Sequence, residues 1–175
     1  MSMRSIISLT AICLCASLSL AEAHDGKLHD PAIAHIAYTA GVLDVTAAKQ
    51  ALEKTKNKEV REFAETMVRD HEAVNQQALD LLKKLNVTPE DNDTSKALSK
   101  AASEELAKLG KLDGAAFDKS YVENEVAYHK QVNEALETTL IPSASNAELK
   151  NLLETGLKLF QSHQQHAEHI AASLK

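Results

Sequence analysis

An all-α fold, four long antiparallel helices with one shorter helix in a long connector, is predicted by three features of the sequence. Helix formers dominate the composition: 44% of residues are hydrophobic, chiefly Ala and Leu, against five Gly, three Pro, no Trp and three each of Phe and Tyr. Apolar residues recur at helical spacing over four long stretches. Those stretches are punctuated by cap and turn residues, among them Asp30-Pro31, Asn57, Thr88-Pro89 and Pro142-Ser143.

Residues 1–23 read as a cleavable secretory signal: Arg4 gives a positive start, Ile6 to Leu20 is a 15-residue largely apolar stretch, and Ala21-Glu22-Ala23 is an A-x-A cleavage site. Cleavage after Ala23 predicts a periplasmic or secreted protein with a flexible leader over residues 24–30 and a four-helix-bundle domain over 31–175. No later stretch reaches the roughly 20 apolar residues of a spanning helix, so a soluble product without a transmembrane segment is expected. Cys13 and Cys15 leave with the signal, and neither follows the small-residue box of a lipid-modified cysteine. The remaining chain has no disulfide to form in an oxidising compartment, so packing or a bound metal must stabilise it. The formal charge is −6, and Arg4 and Glu22 cancel, so the mature part keeps it. Lys is interleaved with Glu rather than clustered, which disfavours nucleic acid as a partner.

The first helix is expected to start with Asp30 as N-cap and Pro31 in the first turn, and to run to about Thr55. Asn57 caps the second, whose stripe of Val60, Phe63, Ala64, Met67, Val74, Ala78, Leu82 and Leu85 holds until about Asn86. Thr88 to Asp93 is turn-rich, and Thr94 to Leu109 forms a shorter connector helix ended by Gly110. A third long helix begins between Asp113 and Ala115, carries Phe117, Tyr121, Val122, Val126, Val132, Leu136 and Leu140, and breaks at Ile141-Pro142. Ser145 is expected to cap the fourth, which carries Leu149, Leu153, Phe160, Ala167 and Ile170 toward the C-terminus. Short turns make two antiparallel hairpins, and about 28 residues between them suffice to recross a bundle about 40 Å long. This is ferritin-like connectivity.

Each long helix places a potential metal ligand inside its apolar stripe: Asp44, His71, His129 and His163. At 1.5 Å per residue from the end where the first hairpin turns, they lie about 16, 20, 22 and 17 Å deep, one level within the uncertainty of the helix ends. From the opposite end His129 and His163 match less well, which we assign to stagger in the turn from Ile141 to Asn146. Three imidazoles and a carboxylate suit zinc, copper, iron or manganese. Glu125, one turn before His129, is a further ligand or an outer acceptor. Alternatively the histidines are neutral core residues bonded to one another, to Asp44, or to the hydroxyls of Tyr121 and Tyr128. A buried Asp44 without a cation would cost several kcal/mol or hold a proton.

The residues three before His71, His129 and His163 are Val68, Val126 and Phe160, so the Glu-x-x-His motif of di-iron bundles is missing and a single ion is expected. His166 lies near His163 on the last helix and could extend the site, whereas His169 is rotated about 120° from His163 toward solvent; the plainer reading makes both His166 and His169 surface residues. Cleavage after Ala23 would expose His24, whose amine and imidazole can chelate Cu(II), with His29 and His35 nearby in sequence. Neither a nucleophile elbow nor a phosphate loop is found, nor H-E-x-x-H, so no nucleotide or organic cofactor is expected and enzyme activity is not indicated.

Phe63-Ala64-x-x-Met67-Val68-x-x-His71 and Phe117-Asp118-x-x-Tyr121-Val122-x-x-x-Val126-x-x-His129 resemble the bacterial exported family called domain of unknown function 4142. Gly41 with Asp44, and His163 with Ala167, extend the resemblance over Pro31 to Leu174. It implies a ferritin-like bundle and no established reaction. The family usually has Glu where this chain has Asp44, one methylene shorter, and His166 and His169 look like additions. The readings that follow are an exported protein binding one transition-metal ion in metal homeostasis or stress protection, a metal-free structural or protein-interaction module of the envelope, or a mononuclear iron or manganese oxidoreductase. A protein partner or a homo-oligomer is compatible with each.

Overall fold

The structure, a computed structural model, describes residues 28–174. The signal segment with its cysteines, and the leader up to Lys27 with His24, lie outside the described residues. Helix α1 spans Asp30–Lys54 and α2 Lys58–Leu85. The connector contains α3, Asp93–Leu109; α4 covers Gly114–Ala135, a π-helical turn Leu136–Leu140 and the short α5 Ile141–Ser143 follow, and α6 is Ala147–Ser173. No strand occurs among the described residues, and the all-α bundle matches the fold read from composition and periodicity.

Antiparallel α1 and α2 form one hairpin, α4 and α6 the other, and α2 against α6 with α1 against α4 closes the square. The connector recrosses: Asn92 Nδ2 donates to Ala32 O, Gln50 Nε2 to Leu106 O, and Lys54 Nζ to Gly110 O, so α3 follows α1 from its start to its end. Local chemistry explains most ends. The Asn57 side chain accepts from the backbone N–H groups of Glu59 and Val60, and Asn86 closes α2 in the left-handed region at φ 54°. Asn92 and Ser95 form a capping box at the start of α3.

Three local expectations need correction. Asp30 is the first residue of α1 and His29 the N-cap; the Asp30 carboxylate instead accepts from the backbone N–H of Ser145 at 2.8 Å and of Asn146 at 2.9 Å. That tertiary bond outcompetes local capping because it satisfies two donors in a distant turn. Asn146, not Ser145, caps α6, accepting from Glu148 and Leu149 N–H. The connector helix does end at Gly110 as expected, at an ordinary φ of −58°, and the positive φ, 56°, belongs to Gly114. Finally, the third helix does not break at Ile141: it widens into the π turn, in which Ile141 N–H reaches Leu136 O, and continues to Ser143. Pro142 has no N–H and its ring crowds the carbonyl four residues back, so the wider turn accommodates it.

The core is split into two apolar halves. Near the α1–α2 turn lie Ala48, Ala51, Phe63, Met67, Leu109, Phe117, Tyr121, Ala167 and Ile170; toward the other end lie Ile33, Ile36, Leu82, Leu136, Leu140, Leu153 and Phe160. Between the two sets, in every long helix, fall the buried polar residues Asp44, His71, Glu125, His129 and His163.

Candidate metal centre

Small residues let the helices approach closely enough for this polar layer to form. On α1, Asp44 shares its inward face with Ala40, Gly41, Ala47, Ala48 and Ala51, all buried. Gly41 faces α2 closely: a Cβ there would lie 2.2 Å from Asn75 Oδ1 and would displace that side chain. With α1 seated this tightly, Asp44 is 1% exposed, and His71, Glu125, His129 and His163 are 3%, 1%, 1% and 4% exposed.

The four residues singled out by their spacing are distributed over two overlapping triads. Asp44 Oδ2 lies 3.6 Å from His71 Nε2 and 3.6 Å from His129 Nε2. That separation is too long for a hydrogen bond, yet it is close to the roughly 3.4 Å between donor atoms of a tetrahedral ion with bonds of about 2.0–2.1 Å. Ligand atoms of His71, His129 and His163 all lie within 4.8 Å of one another, and so do those of Asp44, Glu125 and His129. His129 belongs to both triads. The imidazoles of His71 and His163 are 5.4 Å apart between centroids, and His129 is 5.5 Å from His163.

The rings are orientated from outside. His129 Nδ1 is 3.0 Å from the Glu125 carbonyl oxygen, which is an acceptor, so Nδ1–H donates and the Nε2 lone pair faces Asp44. His163 Nε2 is 3.0 Å from Asp70 Oδ2; Nε2–H donates, leaving the Nδ1 lone pair free. Phe160 stacks on His71, 4.6 Å between centroids and 5° from parallel. Tyr128 does not bond to a histidine: its hydroxyl donates to Ala40 O at 2.8 Å.

A dense set of unsatisfied atoms results. Both Asp44 oxygens, both His71 nitrogens, Glu125 Oε2, His129 Nε2, His163 Nδ1 and the Tyr121 hydroxyl are buried without a hydrogen-bond partner. Buried polar atoms are ordinarily paired, and an uncompensated one costs about 1–3 kcal/mol. The titration behaviour records the same strain. Burial raises the Asp44 carboxyl from 3.8 to about 7. Burial, then the neighbouring Asp44, pushes the Glu125 carboxyl well above its ordinary range. Burial brings His129 down from 6.5 to about 4 and lowers His71 further, assisted there by the other two imidazoles. His163 is also lowered by burial, against the pull of Asp70. Three neutral imidazoles with free lone pairs beside a carboxylate are the protonation states metal ligands require.

The remaining sequence candidates divide. Glu125 is inside the layer. His166 is exposed and meets the edge of Phe63 at 5.3 Å between centroids; it belongs to neither triad. His29 pairs with Glu90 at 3.3 Å on the surface. Asp70, which the sequence reading passed over, is held low first by Arg69 and also by His163. Its signal was present, since Asp70 falls in the Met67, His71, Val74 stripe, but the adjacent Arg69 makes it read as a solvated pair. Two cavities abut the layer: one of about 570 Å³ has His71, His129 and Phe160 in its wall, and one of about 340 Å³ has Asp44 and Glu125.

The family model "Domain of unknown function (DUF4142)" matches residues 15–170. Among solved structures, a DUF305 protein from Streptomyces coelicolor described as secreted is similar, with a TM-score of 0.67 and 16% identity over 81% of this chain and 93% of that one. That likeness speaks for the fold. No curated protein matches the sequence. Among the described residues, no helix is long and apolar enough to cross a membrane.

Proposed function

We propose that this chain, which belongs to the DUF4142 family, is an exported helical-bundle protein that binds one divalent transition-metal ion through Asp44, His71, His129 and His163, in metal homeostasis or stress protection. One observation carries the reading: side chains from four helices bring unpartnered, buried donor atoms into two triads, His71, His129 and His163 and Asp44, Glu125 and His129, that share His129. A cation there would satisfy the lone pairs, stabilise Asp44 in its ionised form and remove the cost of the layer in one step. The set of three imidazoles and one carboxylate favours zinc, copper, iron or manganese over calcium or magnesium. Asp70 would hold the His163 ring and the Glu125 carbonyl the His129 ring, the outer support such sites use.

Closure by side-chain bonding alone fits less well, because the tyrosine hydroxyls do not reach the imidazoles and His71 has no hydrogen-bond partner on either nitrogen. Thermal melts of metal-stripped protein test the proposal. Zinc at about 100 times its dissociation constant should add about 2.7 kcal/mol of stability, and His71→Ala should remove most of that gain. If zinc, copper, iron and manganese all leave the melting temperature unmoved, the proposal is wrong.

A further inference from the structure

The buried donors form two sets of different chemistry. His71, His129 and His163 bring one nitrogen each to within 4.8 Å of one another, and Asp44, Glu125 and His129 do so with two oxygens and a nitrogen. Every member is 4% exposed or less. Glu125 belongs only to the second set, and His71 and His163 only to the first. The first set offers three neutral imidazoles, with Asp44 Oδ2 3.6 Å from His71 Nε2 as an adjacent fourth donor. That is the number and kind of ligand zinc takes. The second set offers one imidazole and two carboxylates, in which both Asp44 oxygens and Glu125 Oε2 have no hydrogen-bond partner. A carboxylate binds through one oxygen or two, so this set is rich in oxygen and suits manganese, a harder ion that prefers octahedral oxygen surroundings. His129 is common to both sets. A neutral imidazole has one lone pair in either tautomer, so His129 can ligate only one ion at a time.

We infer that the layer offers its ion two neighbouring seats that share His129 and are not filled together: an imidazole seat at His71, His129 and His163 for zinc or copper, and a carboxylate seat at Asp44, Glu125 and His129 for manganese. The inference rests on the metal reading and adds to it a ligand, Glu125, and a rule of selection. Zinc stands above manganese in the general order of affinities and favours nitrogen, so it takes the imidazole seat and expels manganese from the other through their common ligand. Asp70 bonds to His163, a member of the imidazole seat alone, so it supports zinc and not manganese.

Manganese and zinc binding to metal-stripped protein test this, the first read from the electron paramagnetic resonance signal of free Mn(II) and the second from competition with a chelator. Glu125→Gln should weaken manganese about tenfold or more, since a direct ligand counts for no less than an outer partner, and leave zinc affinity within about twofold. His163→Leu should do the reverse. In the wild type, each zinc bound should release one manganese. Retention of both ions by one chain would overturn the inference and leave the metal reading standing. So would an equal effect of Glu125→Gln on the two ions, or binding of either ion without the other. Failure of both ions to bind the wild type would overturn the metal reading itself, and this inference with it. If His163→Leu does not fold, as judged by helical circular dichroism, the Glu125→Gln result and the wild-type exchange decide alone.

Discussion

The two apolar halves of the bundle are built from similar side chains and packed to different degrees. Beside the α1–α2 turn, Phe63, Met67, Phe117, Tyr121 and Val122 are all 0% exposed, Phe63 meets Tyr121 edge-on at 6.3 Å, and Phe117 stacks on Tyr121 at 6.1 Å. In the other half Leu82, Leu149, Leu153 and Phe160 keep 5–8% exposure and surround the 570 Å³ cavity. Interiors of folded proteins leave few voids larger than a water molecule, so the open half gives up packing energy that the closed half secures. The polar layer lies at the boundary, held by the rigid half and bordering the hollow one. The closed half therefore reads as the stabilising part of the molecule and the open half as the part kept accessible.

Truncations matched across the layer should show this most strongly. Met67→Ala in the closed half is expected to cost about 4 kcal/mol and Leu153→Ala in the open half about 2 kcal/mol, the upper and lower parts of the range for buried Leu and Met side chains. Chemical denaturation of metal-stripped protein measures both, and equal costs would remove the distinction.

The layer itself gives the next largest effect, and its sign depends on metal. Because folding raises the Asp44 carboxyl from 3.8 to about 7, this group favours the folded state fully below about pH 4 relative to higher pH, and its contribution is lost as pH rises through 7. His129, lowered from 6.5 to about 4, acts oppositely: its contribution is present above 6.5 and lost as pH falls through 4. Asp44→Asn should thus stabilise metal-stripped protein at pH 8, by about 2–4 kcal/mol at about 1.4 kcal/mol per tenfold change in proton affinity, and do nothing near pH 4. In zinc-loaded protein the same substitution should destabilise. Urea titrations across pH with and without zinc would show the reversal, and a uniform loss under all conditions would mean that Asp44 carries no burial cost.

Outer support should count for less. Asp70→Asn is expected to weaken zinc binding about tenfold through a loosened His163 ring, read from competition with a chelator; unchanged affinity would make Asp70 a bystander. Smallest is the clamp at the open end, where Asp30→Ala should cost about 1–2 kcal/mol by freeing the N–H groups of Ser145 and Asn146, without changing zinc affinity.

What the sequence disclosed and what it withheld follow from the range of the forces involved. Asp44, His71, His129 and His163 stood out because a polar residue inside a helical stripe is a local, periodic signal, and the connector length was enough to indicate that it recrosses. Asn57 and Asn86 were legible because their bonds close within three or four residues. Asp30 was misjudged because its partners lie 115 and 116 residues away, and local capping rules are blind to such competition. The π turn depends on how Pro142 is accommodated after the helix has packed, which a break signal alone cannot convey. Neither cavity could be read at all, since a void is a property of how side chains interdigitate and not of which ones are present.

The most direct test of the central claim is calorimetric titration of metal-stripped protein with zinc, for the wild-type chain and for the double variant Asp44→Asn with His129→Ala. One ion per chain in the wild type and none in the variant is expected. No heat of binding in the wild type, or undiminished binding in the variant, would contradict it.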